Sequence, residues 1–240
     1  MPSRVNRQKR SAVFIDLGLL EYKRALDLQV ETLQAKINKS ILEDRVFFVE
    51  HLPVYTLGKR GGKENLSVSK KFLDSKNIDI VQTDRGGNIT YHGPGQAVLY
   101  PIVDLEKNKI RVKDFVHGLE EIMKLTAMDF NIDAVRNRRN HGIWVENSKI
   151  GSVGISIKRG ISFHGLALNI KPDLEPFSWI NPCGLTNVSM TSVEKEIQKS
   201  RDKNNEFLKY ELSMDKIRNA FIKHFSSVFN YSIQIDNKRL

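Results

Sequence analysis

The chain of 240 residues has a single cysteine, Cys183. One cysteine forms no internal disulfide and cannot by itself build a zinc site, and the scarcity of thiols fits a reducing compartment. No apolar run approaches the roughly 18 residues of a membrane-spanning helix, so the expectation is a cytoplasmic protein with no membrane association. Neither G-x-G-x-x-G nor G-x-x-x-x-G-K-[ST] occurs, which leaves no phosphate-binding loop. Zinc-finger, RNP and basic-zipper patterns are also missing, so nucleic acid is not the expected partner. The first ten residues, MPSRVNRQKR, are basic but lack the apolar stretch of a secretory signal. They read as an N-terminal arm over residues 1–11, ahead of one domain over 12–240.

What is present is a formal net charge of +10, a balance that attracts negatively charged partners. SAVFIDLG reads as a first strand. Leu26, Val30, Leu33 and Ile37 then fall at helical spacing on one face. RVFFVEH, PVYT, IDIVQ and AVLYPIV are further strand candidates. Phe115, Leu119, Ile122, Met123, Thr126 and Phe130 mark a second amphipathic helix. GIWV, KIGSVGISI and FHGLALNI are short β-like runs, with ENSK as the turn between the first two. PDLEPFSWINPCGLTN reads as an ordered loop. Thr191 and Glu194 have capping-box spacing for a short helix. A last helix starts near Ser213, with Ile217, Phe221, Phe225 and Val228 inward. No repeat and no long linker interrupts this order, so the fold class is α/β (α+β), a single domain strand-rich in the middle and helical at its edges.

One stretch breaks the pattern. RGGNITYHGPGQ, Arg85 to Gln96, interrupts two apolar runs with glycines and polar side chains. Glycines let backbone approach a ligand closely, Arg85 brings a fork of donors, and Thr90, Tyr91, His92 and Gln96 add hydrogen-bonding groups. It reads either as a ligand cradle or as a polar hairpin loop. Cys183, in NPCGL, sits on a turn. It reads either as a small buried hydrophobe or as a nucleophile, and an adjacent cation would raise its thiolate fraction. Lys149, His92 and His164 are the candidate partners, and residue types alone do not choose among them.

RGGNITYHGPGQAVLYPI, KIGSVGI, FHGLALNI and PCGLTNVSMTSV, in that order, resemble the lipoyl(octanoyl) transferase family. DLGLLEYKRALDLQ and EHLPVYTLGKRG extend the resemblance, which runs from about Val13 to Val193. It implies a central mixed β-sheet flanked by helices, the fold of biotin and lipoate protein ligase catalytic domains. By the same resemblance, Cys183 matches the nucleophile that carries the acyl group as a thioester, and Lys149 the lysine that lowers its pKa. Arg85, Gly86, Gly87, Asn88, Ile89, Thr90, Tyr91 and His92, with Ser152, Val153, Gly154, Gly165, Leu166 and Ala167, match segments lining the acyl pocket. Leu52 stands where a second proline is more usual, away from the cysteine and the lysine.

The implied activity moves an octanoyl group from octanoyl-acyl carrier protein to a lysine of lipoyl domains. The implied acceptors are the lipoyl domains of 2-oxoacid dehydrogenases and the glycine cleavage H protein. An acyl thioester is already activated, which makes the missing phosphate loop intelligible: neither ATP nor a metal is expected as cofactor. Backbone N–H groups near Ser152–Gly154 or Gly165–Ala167 are expected as oxyanion donors, and the chain is expected to act as a monomer. Two readings within the same fold compete. One is an ATP-dependent lipoate or biotin ligase, which needs no cysteine. The other is an amidotransferase moving octanoyl groups between lipoyl domains. A basic binding module and a cysteine hydrolase using His92 or His164 are more distant alternatives.

Overall fold

In a computed structural model the described residues are 9–137, 140–181, 188–204 and 211–236, and Cys183 lies outside them. Strand β1 (Arg10–Leu20) leads into helix α1 (Tyr22–Ile37). Then follow β2 (Asp44–His51), β3 (Val54–Leu57), a short 3₁₀ turn (Lys63–Asn65) and α2 (Lys70–Ser75). β4 (Asp79–Gln82), β5 (Ile89–His92) and β6 (Gln96–Ile102) precede α3 (Val112–Met128). Four strands succeed it: β7 (Val135–Asn137), β8 (Asn140–Val145), β9 (Ser148–Lys158) and β10 (Ile161–Asn169). After a 3₁₀ segment (Glu175–Trp179) come β11 (Ser189–Met190), α4 (Val193–Asn204), α5 (Met214–Phe229) and β12 (Tyr231–Asp236).

Among the described residues the main sheet runs β12-β1-β2-β6-β10-β9-β8-β7, with β11 added along β9. Its middle strands are buried on both faces and read as continuous apolar runs for that reason. In β2, Val46 and Phe48 face a core shared with α3 and α5, whereas Phe47 and Val49 face a core shared with α1. The two-residue period of a strand imposes this division. A second, three-stranded sheet, β4-β3-β5, has its own apolar cluster around Tyr55, Tyr91 and Phe177.

The mixed sheet and flanking helices follow the sequence expectation, with five differences. Part of the glycine-rich interruption is a strand: Ile89–His92 pairs antiparallel with Val54–Leu57, forming the small sheet the sequence did not announce. The inward face of α1 is Tyr22, Ala25, Gln29, Thr32, Leu33 and Lys36, with Val30 exposed. Polar side chains occupy that stripe because partners await them. Lys36 Nζ lies 2.8 Å from Asp44 Oδ1, and Asp44 also accepts from Tyr231 Oη at 2.6 Å and Asn108 Nδ2 at 2.8 Å. A buried ion pair is tolerable when its remaining lone pairs are filled in this way. Helix α4 is capped one residue later than expected: Ser192 Oγ accepts from Lys195 N–H at 3.2 Å, while Thr191 Oγ1 donates to Glu196. Finally, β12 follows the last helix and pairs in parallel with β1. Strand β1 starts at Arg10, inside the segment read as an arm.

Candidate active site

A pocket of about 70 Å³ opens between the α1-facing side of the main sheet and the Arg85–His92 segment. Its floor is two adjacent antiparallel strands. Gly154, Val153 and Ser152 of β9 stand opposite Gly165, Leu166 and Ala167 of β10, residue for residue. Two motifs more than ten residues apart in sequence are therefore cross-strand partners. The floor's backbone is joined to the wall by Gly86 N–H, which donates to Ile155 O at 2.8 Å.

The wall uses its polar side chains mostly on itself. Arg85 Nε donates to Thr56 Oγ1 at 3.1 Å, Nη2 to Thr56 O at 2.6 Å, and Nη1 to Gly86 O at 3.0 Å. His92 Nδ1 meets Gln96 Oε1 at 2.6 Å. An amide oxygen only accepts, so Nδ1 carries the proton and Nε2 presents a lone pair to Thr56 Oγ1 at 3.5 Å. Gln96 Nε2 passes the chain on to Asn169 Oδ1 at 2.9 Å, and Asn169 Nδ2 to Thr191 O at 3.0 Å. Burial pushes His92 down to about 3, so its ring is neutral near pH 7. His51, below it, is pushed down to about 4 by burial, with Tyr100 Oη donating to its Nε2 at 2.8 Å. His164 is likewise lowered by burial, against the opposing pull of Asp84, whose Oδ1 accepts from its Nε2 at 2.8 Å.

Lys149 enters the pocket from the second residue of β9 and is only 6% exposed. Its Nζ lies 5.7 Å from the centre of the Trp144 ring. Its stem passes Gly142, which sits at φ +136°, and a Cβ there would stand 2.9 Å from Lys149 Cε and 2.2 Å from Gly151 O. Only glycine leaves that passage open. On its outer edge Lys149 pairs with Met190 of β11, and its carbonyl accepts from Thr191 N–H at 2.9 Å. Residues 182–187, which include Cys183, immediately precede this strand in the chain.

Of the residues expected to line the pocket, every one does so except Tyr91. Strand alternation turns Tyr91 to the opposite face, where its ring packs 5.5 Å from Tyr55 and 5.4 Å from Phe177. The sequence reading missed Tyr22, Val98, Tyr100, Asn140, Phe177 and Met190, which also line it. Val98 and Tyr100 could have been found, since they alternate on one face of AVLYPI. Tyr22 and Met190 carried no such signal. Among the described residues no group of three or more His, Cys, Asp or Glu is placed to hold a metal ion, and no helix is long and apolar enough to cross a membrane.

The family model described as the lipoyl protein ligase A/B catalytic domain matches residues 21–226. The chain belongs to that family. Within it, the chain is 52% identical to an octanoyltransferase of Desulfotalea psychrophila over 184 residues, covering 76% of this chain and 82% of that protein. It is 40% identical to an octanoyltransferase of Alkaliphilus metalliredigens over 220 residues, covering 91% and 95%. Lipoate ligases of known structure share the fold. A bipartite lipoate protein ligase from Thermoplasma acidophilum superposes with TM-score 0.66 at 17% identity, covering 95% of this chain and 87% of that one. A lipoate-protein ligase A bound with ATP superposes with TM-score 0.68 at 15% identity, covering 95% and 89%.

Proposed function

We infer that this chain is an octanoyltransferase of protein lipoylation, as its relatives are named, and we propose that it works through Cys183 with Lys149 beside it. The observation that carries the proposal is a buried lysine at the end of a pocket floored by Ser152–Gly154 and Gly165–Ala167. Of the rival histidines, His92 and His164 are both pushed down by burial, and His92 has both ring nitrogens engaged.

In the proposed cycle an ammonium on Lys149 favours the Cys183 thiolate by Coulomb attraction. The thiolate attacks the carbonyl carbon of octanoyl-acyl carrier protein. A new S–C bond forms to Cys183, the carrier's S–C bond breaks, and the carrier thiolate takes the Lys149 proton. The ε-amine of a lipoyl-domain lysine then attacks the acyl-enzyme. An N–C bond forms, the Cys183 S–C bond breaks, and neutral Lys149 takes the proton lost by the amine. No phosphoryl chemistry enters, because the thioester supplies the driving force. The pocket receives the acyl chain, each buried methylene contributing about 0.8 kcal/mol.

Intact-mass spectrometry after mixing with octanoyl-acyl carrier protein tests this. The expected result is a gain of one octanoyl group without ATP, removed by hydroxylamine and absent from Cys183→Ala. Strict dependence on ATP, or a gain that survives Cys183→Ala, overturns it in favour of ligase chemistry.

A further inference from the structure

Residues 59–71 hold five basic side chains, Lys59, Arg60, Lys63, Lys70 and Lys71, against one acid, Glu64. All five are exposed. Lys70 lies 3.8 Å from Asp74. For the other four, no salt-bridge partner occurs among the described residues. Such a run usually marks a solvated surface, and what distinguishes this one is how it is mounted.

At one end the segment is fastened to the pocket wall. Gly58 N–H donates to Asn88 O at 3.0 Å, Lys59 N–H to Arg85 O at 2.9 Å, and Arg60 N–H to Gly87 O at 3.1 Å. Gly58 makes this close seating possible, since a Cβ there would stand 2.5 Å from Gly87 O. At the other end it is fastened to the stretch that runs into the cysteine. Ser67 N–H donates to Trp179 O at 2.9 Å, Asn181 N–H donates to Asn65 O at 2.9 Å, and the Phe72 and Trp179 rings meet edge to face at 4.8 Å. Asn181 is two residues from Cys183. The basic strip therefore spans from the acyl pocket to the approach of the nucleophile on a fixed backbone. The field of Lys59 already reaches the pocket's edge, helping to hold Asp84 low, though less than the His164 hydrogen bond does.

We propose that residues 59–71 are the docking surface for the acyl donor, an acidic carrier protein bearing octanoate as a thioester. The proposal rests on the octanoyltransferase reading. The donor fits better than the acceptor because its acyl chain must enter the pocket to whose wall the backbone of Lys59 and Arg60 is hydrogen-bonded, while its thioester carbon reaches Cys183. A protein seated on the strip meets both demands. The acceptor lysine brings no chain into the pocket and needs only the cysteine end.

The test compares two donors on the triple charge reversal Lys59→Glu, Arg60→Glu, Lys63→Glu. With octanoyl-acyl carrier protein at low salt, the expected result is a rise in KM of about tenfold or more with little change in kcat, and a shallower loss of kcat/KM as salt is added, the pattern of lost steering. With a small uncharged octanoyl thioester the acylation rate stays within about twofold of wild type. Transfer from pre-acylated enzyme to a lipoyl domain is likewise unchanged. Equal loss with both donors, no loss with the carrier, or loss confined to the lipoyl-domain half-reaction overturns the proposal. Failure of wild-type protein to be acylated by octanoyl-acyl carrier protein instead overturns the functional reading beneath it.

Discussion

Two ends of one pocket bury polar side chains in different surroundings. At the His92 end the groups form one continuous chain: Arg85 to Thr56, Thr56 to His92, His92 to Gln96, Gln96 to Asn169. A chain with all donors running one way fixes one tautomer, and burial then keeps the imidazole uncharged. At the Lys149 end a lysine is threaded past a glycine toward the face of an indole, on the strand edge where β11 pairs with β9. The comparison teaches that burial alone does not mark a catalytic group. A histidine in a binding pocket can be part of its frame, while the lysine, which reads as an ordinary turn residue in ENSK, is the better candidate for chemistry.

The largest expected effect strikes the Lys149 end. Lys149→Ala slows acylation of Cys183 at neutral pH by about 10²–10⁴-fold, with partial recovery as pH rises and the thiol ionises unaided. His92→Gln stays within about tenfold of wild type in the same single-turnover assay, a structural perturbation of order 1 kcal/mol. The reverse ranking breaks the comparison and revives a cysteine–histidine mechanism. Next comes Gly142→Ala, which forces a side chain into the Lys149 passage at positive φ. A loss of about 1–3 kcal/mol in urea unfolding is expected, together with slower acylation. Acylation at the wild-type rate sinks the claim that Gly142 sets the lysine's position.

A smaller effect sharpens the His92 end. His51 and His92, held at about 4 and about 3 by burial, are neutral in the fold but take up protons below about 6.5 once unfolded. Their stabilisation is present above that value and is lost as pH falls toward 4, by up to about 1.4 kcal/mol per pH unit for each ring. Urea midpoints at pH 7.5 and 5 measure this, and His92→Gln flattens the slope. The smallest effect is at Tyr91, whose ring faces away from the pocket. Tyr91→Phe changes acylation by less than about twofold, roughly 0.4 kcal/mol. A change in chain-length preference in that variant contradicts the assigned orientation.

Strand and helix order were mostly legible because apolar periodicity is a local property: β2, β6, β9, β10, α3 and α5 all stand where their patterns put them. The floor segments Ser152–Gly154 and Gly165–Ala167, the wall from Arg85 to His92, and Lys149 could also be named from their motifs. The small sheet could not, since β3 and β5 are joined by pairing across more than thirty residues and glycines conceal the strand between them. Nor could the inward face of α1, where Gln29 and Lys36 are drawn in by His164 N–H and Asp44. Partners distant in sequence outweigh local hydrophobicity there.

By itself the sequence determined the family, the kinds of side chain available for acyl transfer and the order of the elements that carry them, because composition and short-range spacing are written in the chain. Tertiary structure alone decided that two motifs pair as one floor, that His92 is neutral while Lys149 enters the pocket past Gly142, and that a basic strip joins the wall to the cysteine's approach. Each of these depends on which backbones come to lie side by side, and that is set by the packing of the whole sheet.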